Sequence, residues 1–176
     1  MASIIKANEL QDFGGNSIIT SDGAGNVTVN AAAMKNTPAF QAYRTSYQSI
    51  SNSTDTKVQN DIELYDTDSA YDNSTNYRFT VPSGGAGKYL IGAGNTIDNV
   101  TDTKWVITRV RKNGSDLKSV LAHSSGGHPV SAELSFTDDA SVGDYYESWV
   151  KHLHGSTSDL RTEYTNYFWM MRIIGA

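Results

Sequence analysis

The sequence predicts an all-β protein built as an antiparallel sandwich of about eight to ten strands. Ser, Thr, Asn and Gly are abundant, and the chain has ten Tyr but only three Pro. Hydroxylated, aromatic and β-branched residues combined with many turn formers favour strands over helices. Short strand-like runs return at intervals of about ten residues, which is the spacing of a sandwich or barrel. No long segment has a helical period.

The first 36 residues differ from the rest, because their apolar residues come in short pairs separated by Gly-rich breaks. Between Ser17 and Asn30, two short strands flank Asp22-Gly23, and this pattern predicts a β-hairpin. So few apolar residues cannot form a core of their own. We therefore expect residues 1–36 to anchor the chain to another surface and residues 37–176 to form the folded domain. The residues expected to make the anchoring contact are Ile4, Ile5, Ile18, Ile19, Val27 and Val29.

The strands of the larger domain follow one another from Pro38 onward. Polar and apolar residues alternate in each of the first three runs, as they do in a strand with one buried face. Asn113-Gly114 lies between two β-like runs, which is the strongest short-range signal for a hairpin. A polar loop is expected over 66–75. The predicted strands are 40–47, 57–65, 77–81, 88–93, 103–111, 131–136, 144–153 and 164–174.

Composition excludes several classes of function. The 176 residues suffice for one domain with its own core. The absence of cysteine excludes disulfides, thiolate metal sites and a cysteine nucleophile. A net charge of −5 with scattered Lys and Arg gives no basic face for nucleic acid. No apolar run approaches the roughly 20 residues of a membrane helix, and no cleaved signal peptide is expected from residues 1–10.

The last predicted strand has apolar residues at both parities, which a strand with one solvent face does not. The residues concerned are Tyr167, Phe168, Trp169, Met170 and Met171. Two apolar faces imply burial on both sides. We therefore expect the odd-numbered and even-numbered residues of this strand to divide between the core and a contact with a second subunit.

Several motifs in the larger domain resemble the globular head of the complement C1q/tumour-necrosis-factor family. Residues 38–43 (PAFQAY) resemble the opening strand of that head, and residues 71–82 (YDNSTNYRFTVP) with 87–91 (GKYLI) resemble its central signature. Residues 142–145 (VGDY) resemble its Gly-Asp turn. In the final strand, Trp169 departs from the family's usual small residue. The resemblance covers about residues 38–176 and implies a jelly roll that assembles as a homotrimer.

The amino-terminal block resembles small structural proteins of marine tailed phages, through the segments SIIK and DGAGNVT. In such proteins the amino terminus attaches to the particle and the head projects from it. This resemblance implies a virion protein of the capsid or tail that acts in decoration, cementing or fibre-type adhesion. The expected partners are the chain itself, other virion proteins through residues 1–36, and a host surface glycan or protein. Its expected location is the virion, released by lysis.

No catalytic constellation is recognisable, and the chain is predicted not to be an enzyme. It lacks a nucleophile elbow, a dinucleotide fingerprint and a phosphate loop, so no cofactor is expected. His152 and His154 lie two residues apart on a predicted strand and would share a face. Near the axis of a trimer, such pairs would offer six nitrogens to a metal. We expect instead that both lie on a solvated strand end and bind no metal.

Two further interpretations remain at this point. Asp66, Asp68 and Asp72 have the oxygen ligands that calcium prefers, although solvated turn residues are the expectation. A stand-alone carbohydrate-binding module of bacterial origin is the alternative function. Jelly rolls often bind sugars through exposed aromatic side chains. The candidates for such contacts here are Tyr43, Tyr47 and Tyr145.

Overall fold

A computed structural model describes residues 7–30 and 36–175, and these residues form sixteen strands and no helix. None of them belongs to a helix long and apolar enough to cross a membrane. The fold class is therefore confirmed as all-β. The strands are β1 (Glu9–Gln11), β2 (Ser17–Ser21), β3 (Val27–Val29), β4 (Ala39–Arg44), β5 (Gln48–Ile50), β6 (Thr56–Lys57), β7 (Ile62–Asp66), β8 (Tyr71–Asp72), β9 (Arg78–Thr80), β10 (Gly87–Ile97), β11 (Trp105–Lys112), β12 (Ser115–His123), β13 (Val130–Ala140), β14 (Tyr145–His152), β15 (Ser158–Leu160) and β16 (Glu163–Gly175).

The larger domain is a sandwich of two antiparallel sheets. The seven-stranded sheet has the order β5-β15-β10-β16-β4-β7, and β13 also pairs with β10. The six-stranded sheet has the order β12-β11-β14-β9-β8, with β6 pairing with β14. Consecutive strands such as β10 and β11 lie in different sheets, as in a jelly roll. The described strands exceed the predicted eight to ten because several of them are only two or three residues long.

Residues 7–30 form a separate three-stranded antiparallel sheet in the order β1-β2-β3. The predicted hairpin is present as β2 and β3, with Ile19 opposite Val29. Strand β1 was not expected, because its three residues include a single apolar side chain, Leu10. No residue of 7–30 is buried. We name these strands the amino-terminal sheet.

Both turns of the amino-terminal sheet have the same construction. The carboxylate of Asp12 accepts hydrogen bonds from the backbone and side-chain amides of Asn16. Asp22 accepts the corresponding pair from Asn26. These hydrogen bonds lower the pKa values of both carboxyl groups below their ordinary range. Each turn is thereby fixed locally, since Asp side chains that bond nearby backbone amides stabilise turns.

The core between the two sheets is divided into two apolar clusters by a polar layer. Asn95 on β10 is fully buried, and its amide donates to the hydroxyls of Thr108 on β11 (3.1 Å) and Ser148 on β14 (3.3 Å). One apolar cluster includes Phe40 and the other includes Ile50. Each of the three strands therefore contributes to one cluster, then to the polar layer, then to the other cluster. Buried hydrogen bonds of this kind fix the register of facing sheets.

Candidate functional site

Strand β16 separates the core from the outer surface of the seven-stranded sheet. Its even-numbered residues from Asn166 to Arg172 are buried, Phe168 and Met170 completely, whereas Ile174 near the end of the strand is 56% exposed. Its odd-numbered residues Tyr167, Trp169 and Met171 lie on the outer face and are half-buried. The structure thus places the two parities on opposite faces. The contact of the outer face with a second subunit stays a prediction.

Aromatic and aliphatic side chains continue across this outer face on the neighbouring strands. Tyr167 on β16 is opposite Tyr43 on β4, and Tyr43 is opposite Ile62 on β7. In the next row, Trp169 is opposite Gln41 on β4, which in turn is opposite Tyr65. We name this surface the aromatic face; its members are Tyr43, Ile62, Tyr65, Tyr167, Trp169 and Met171.

Two glycines of β10 make room for the largest rings of the aromatic face. Gly92 is opposite Trp169 and Gly94 is opposite Tyr167. A Cβ atom added to Gly92 would lie 2.5 Å from the indole Nε1, and one added to Gly94 would lie 2.6 Å from ring atoms of Tyr167. Both rings therefore lie flat against the bare backbone of β10, and a Trp at position 169 needs a glycine across the strand pair.

A depression of about 340 Å³ lies beside the two rings and is lined by residues of β13 and β16. The polar residues that line it on β13 are Glu133 and Ser135. Burial raises the pKa of Tyr167 to about 12, and the Glu133 carboxylate adds to this effect by its charge and by accepting a hydrogen bond from the hydroxyl. The phenol therefore stays neutral at physiological pH, so the aromatic face adds no charge there.

The outer face of the six-stranded sheet is organised differently, because its side chains are paired with one another. The Trp149 indole donates to Glu147 at 3.0 Å, and Lys57 pairs with the same carboxylate at 2.5 Å. The Arg111 guanidinium lies 4.1 Å from the centroid of the Trp149 ring, and its Nε is 2.6 Å from Asp116. Around Trp149 this face consists of ion pairs and cation–π contacts made within the chain, and it also carries the apolar residues Trp105, Ile107 and Leu121.

The structure does not place His152 and His154 on a shared solvent face. His152 is fully buried, and its Nε2 lies 2.9 Å from the Ile50 carbonyl, while its Nδ1 accepts from the His154 backbone at 3.2 Å. His154 follows the end of β14, and its Nδ1 accepts from the Thr101 backbone at 3.0 Å. The expectation of a solvated strand end is wrong for His152, because even-numbered residues of β14 face the core.

His152 joins the two sheets, since Ile50 belongs to β5 of the seven-stranded sheet. Because Nδ1 accepts a hydrogen bond, the proton of the neutral ring is assigned to Nε2, which donates to the carbonyl. Burial is the largest cause that lowers the pKa of His152 below its ordinary value. The neutral ring therefore has a structural role, because its hydrogen bond joins the two sheets.

The acidic loop is held by its own turn contacts. Asp72 accepts hydrogen bonds from the backbone amides of Ser74, Thr75 and Asn76, and these hold the pKa of its carboxyl well below the usual range. Asp66 accepts from the Tyr71 backbone at 2.7 Å. In residues 7–30 and 36–175, no three His, Asp or Glu side chains lie close enough together to hold a metal ion.

The predicted anchoring residues divide between two faces of the amino-terminal sheet. Ile19, Val27 and Val29 share one face, because Ile19 is opposite Val29 and Ser21, two residues along, is opposite Val27. Ile18 points to the other face. Ile4 and Ile5 lie outside the described residues. Nothing in these positions tests the anchoring role, which stays a prediction.

The tyrosines considered for sugar binding do not form one platform. Tyr43 belongs to the aromatic face, whereas Tyr145 lies on the outer face of the six-stranded sheet with the Arg78 guanidinium 4.4 Å from its ring centroid. Tyr47 lies in the loop between β4 and β5 and is 57% exposed. A shared binding surface for the three is therefore not present.

Comparison with solved structures identifies the fold. The chain is similar to an Eiger TNF from S. frugiperda (TM-score 0.59, 12% identity, 78% of this chain and 93% of that chain). It is also similar to murine APRIL (TM-score 0.58, 12% identity, 77% and 98%) and to the globular domain of a zebrafish complement 1qA protein (TM-score 0.56, 15% identity, 79% and 99%).

No family model and no curated protein matches the sequence. The structural similarity confirms the jelly roll expected from the C1q/TNF resemblance, at the level of the fold alone. The sequence did not reveal that aromatic rings pack on Gly92 and Gly94, although a glycine inside a strand often marks the close approach of another group to the backbone. Ile62 and Tyr65 were also missed, because their place on the aromatic face depends on which strand β7 pairs with.

Proposed function

We propose that this chain is a non-enzymatic virion structural protein whose jelly-roll heads associate as a homotrimer through the aromatic face. Residues 1–36 attach it to the particle, where the head acts in decoration, cementing or adhesion. The observation that supports association is the contrast between the two outer faces of the sandwich. The aromatic face carries six apolar or aromatic side chains on three neighbouring strands, whereas the other face has Trp149 and the charges around it paired within the chain and a smaller apolar group of Trp105, Ile107 and Leu121.

The aromatic face has the composition of a subunit interface. Interface cores are enriched in Tyr, Trp and Met and depleted of charge, and this surface supplies Tyr43, Tyr167, Trp169 and Met171. Tyr65 at its rim is 45% exposed. A standard interface buries roughly 800 Å² per partner, and because these rings are already partly buried in the head, they supply only their exposed remainder and neighbouring residues must supply the rest. The threefold arrangement rests on the C1q/TNF resemblance.

The virion role rests on the amino-terminal segment. Its sheet shares no strand with the sandwich in the described part of the chain, and its sequence resembles the attachment segments of phage structural proteins. A chain lacking residues 1–36 should remain trimeric and fail to join particles. The alternative, a stand-alone carbohydrate-binding module, predicts that the same truncation leaves ligand binding unchanged.

A pair of matched substitutions tests the interface. Tyr65→Glu places a charge on the rim of the aromatic face, where the side chain is exposed enough for the fold to tolerate it. Tyr145→Glu places the same charge on the other outer face, beside Arg78. Sedimentation velocity should find dissociated Tyr65→Glu chains and trimeric Tyr145→Glu chains. Equal masses for the two variants would refute the assignment of the interface to the aromatic face.

A further inference from the structure

The amino-terminal sheet has an apolar face that the described chain leaves uncovered. Leu10 is opposite Ile19, which is opposite Val29, so one apolar residue from each strand lies in a single row. Val27 lies on the same face, since it is opposite Ser21. Leu10 and Val27 are 55% and 61% exposed. We name this surface the amino-terminal apolar face.

The face is preformed although the sheet has no core. The two Asp–Asn turns fix the connections between its strands, through Asp12 with Asn16 and Asp22 with Asn26. Every residue of 7–30 is nevertheless exposed or half-buried. Apolar side chains stabilise a sheet only when their surface is removed from water. A partner that covers the face is therefore expected.

The size of the face limits what that partner is. Strands lie about 4.8 Å apart and rise about 3.3 Å per residue, so three strands of three to five residues present on the order of 100–200 Å². A stable interface between free proteins buries about 800 Å² on each partner. The face is thus too small to hold a partner that arrives from solution, and its partner must already be close by.

Copies of the same sheet satisfy this condition. Only residues 31–35 separate Asn30 from Asn36, and this connection reaches at most about 20 Å. Strand β4 then begins at Ala39, which is opposite Met171 of the aromatic face. Heads joined through that face therefore confine their amino-terminal sheets to a small common volume. Short tethers give effective concentrations in the millimolar range, at which weak contacts form.

We propose that the amino-terminal apolar faces of the three copies pack against one another and form a small shared core. This inference rests on the proposed homotrimer and deepens it. Around a threefold axis each copy contributes the same surface, and a sheet with one apolar face provides that surface. In this arrangement Ile19, Val27 and Val29 contact other copies of the chain instead of the particle. Attachment then uses the outward side of the sheet and its loops, where Phe13 is fully exposed.

Single cysteines provide the test, because the chain has none. Val27→Cys reports on the apolar face, and Thr28→Cys is the matched control, since Thr28 is an exposed neighbour on the opposite face. Each full-length variant is checked for its native mass and then reacted with a maleimide. We expect Cys at 27 to react at least tenfold more slowly than Cys at 28 in the trimer. In the Tyr65→Glu background, once its mass shows separated chains, the two rates should become similar.

The outcomes separate this inference from the proposed function. A trimer in which both positions react equally fast overturns the shared core and leaves the trimeric head standing. Protection of position 27 that persists in separated chains also overturns it, because the cover then comes from the same chain. Protection gained only when other virion proteins are added assigns the face to a different partner. A monomeric full-length chain refutes both proposals together.

Discussion

Replacing Gly92 by Ala tests the geometry on which the aromatic face depends. The added methyl carbon would lie 2.5 Å from Nε1 of Trp169, whereas carbon atoms pack at about 3.5–4.0 Å. The indole must therefore lift off β10 or the strands must separate. Overpacking of this kind costs about 1–3 kcal/mol. We expect Gly92→Ala to lower the free energy of unfolding by this amount and to weaken the trimer.

A double-mutant cycle distinguishes this cause from a general intolerance of alanine. In a Trp169→Ala background the ring is gone, and Ala in a strand is about 0.5–1 kcal/mol better than Gly. Gly92→Ala should then become neutral or stabilising, which gives an interaction energy of about 1.5–4 kcal/mol between the two positions. Denaturant unfolding followed by circular dichroism, at one protomer concentration, measures all four chains. The same cost in both backgrounds would refute the stacking of Trp169 on Gly92.

Three more predictions concern the interior and the loops. Because burial lowers the pKa of His152, its contribution to stability is complete above about pH 6.5 and is lost as the pH falls toward the lowered value. His152→Gln should therefore flatten the dependence of the free energy of unfolding on pH in this range. An unchanged dependence would contradict the structural role of the neutral ring. Asn95→Ala should lower the free energy of unfolding by about 1–3 kcal/mol, because it leaves the buried hydroxyls of Thr108 and Ser148 without the hydrogen bonds that Asn95 donates. An unchanged free energy in denaturant unfolding would mean that the polar layer is dispensable. Asp72→Ala should lower the free energy of unfolding by about 1 kcal/mol near neutral pH, as the loss of a helix cap does. The difference from the parent chain should shrink in acid, as the Asp72 carboxyl of the parent becomes protonated. A difference that is constant with pH would exclude the charge of Asp72 as the cause.

The sandwich could be predicted because its strands have strong local signals. Asn113 and Gly114 both have positive φ (52° and 81°), as a tight hairpin turn requires, and they join β11 to β12 where the sequence places a turn. Both parities of β16 are apolar, and the structure gives them two different surroundings. These features depend on residues that are close in sequence, so no knowledge of the strand pairing was needed.

The features that could not be predicted depend on the strand pairing. Alternation in β14 shows that His152 shares a face with Tyr146, but not that this face is the inner one. The polar layer brings together three short side chains from three strands, and each alone is an ordinary polar residue. Likewise, Gly92 has meaning only once Trp169 is known to be opposite it. A local pattern does not contain these partners.

The native mass of the unmodified full-length chain is the most direct measure of whether the heads associate as a trimer. Light scattering over a dilution series measures this mass without labels or substitutions. We expect the mass of three chains, maintained as the protein is diluted, because the aromatic face is an interface and not a solvated surface. A mass of one chain at every concentration would contradict it.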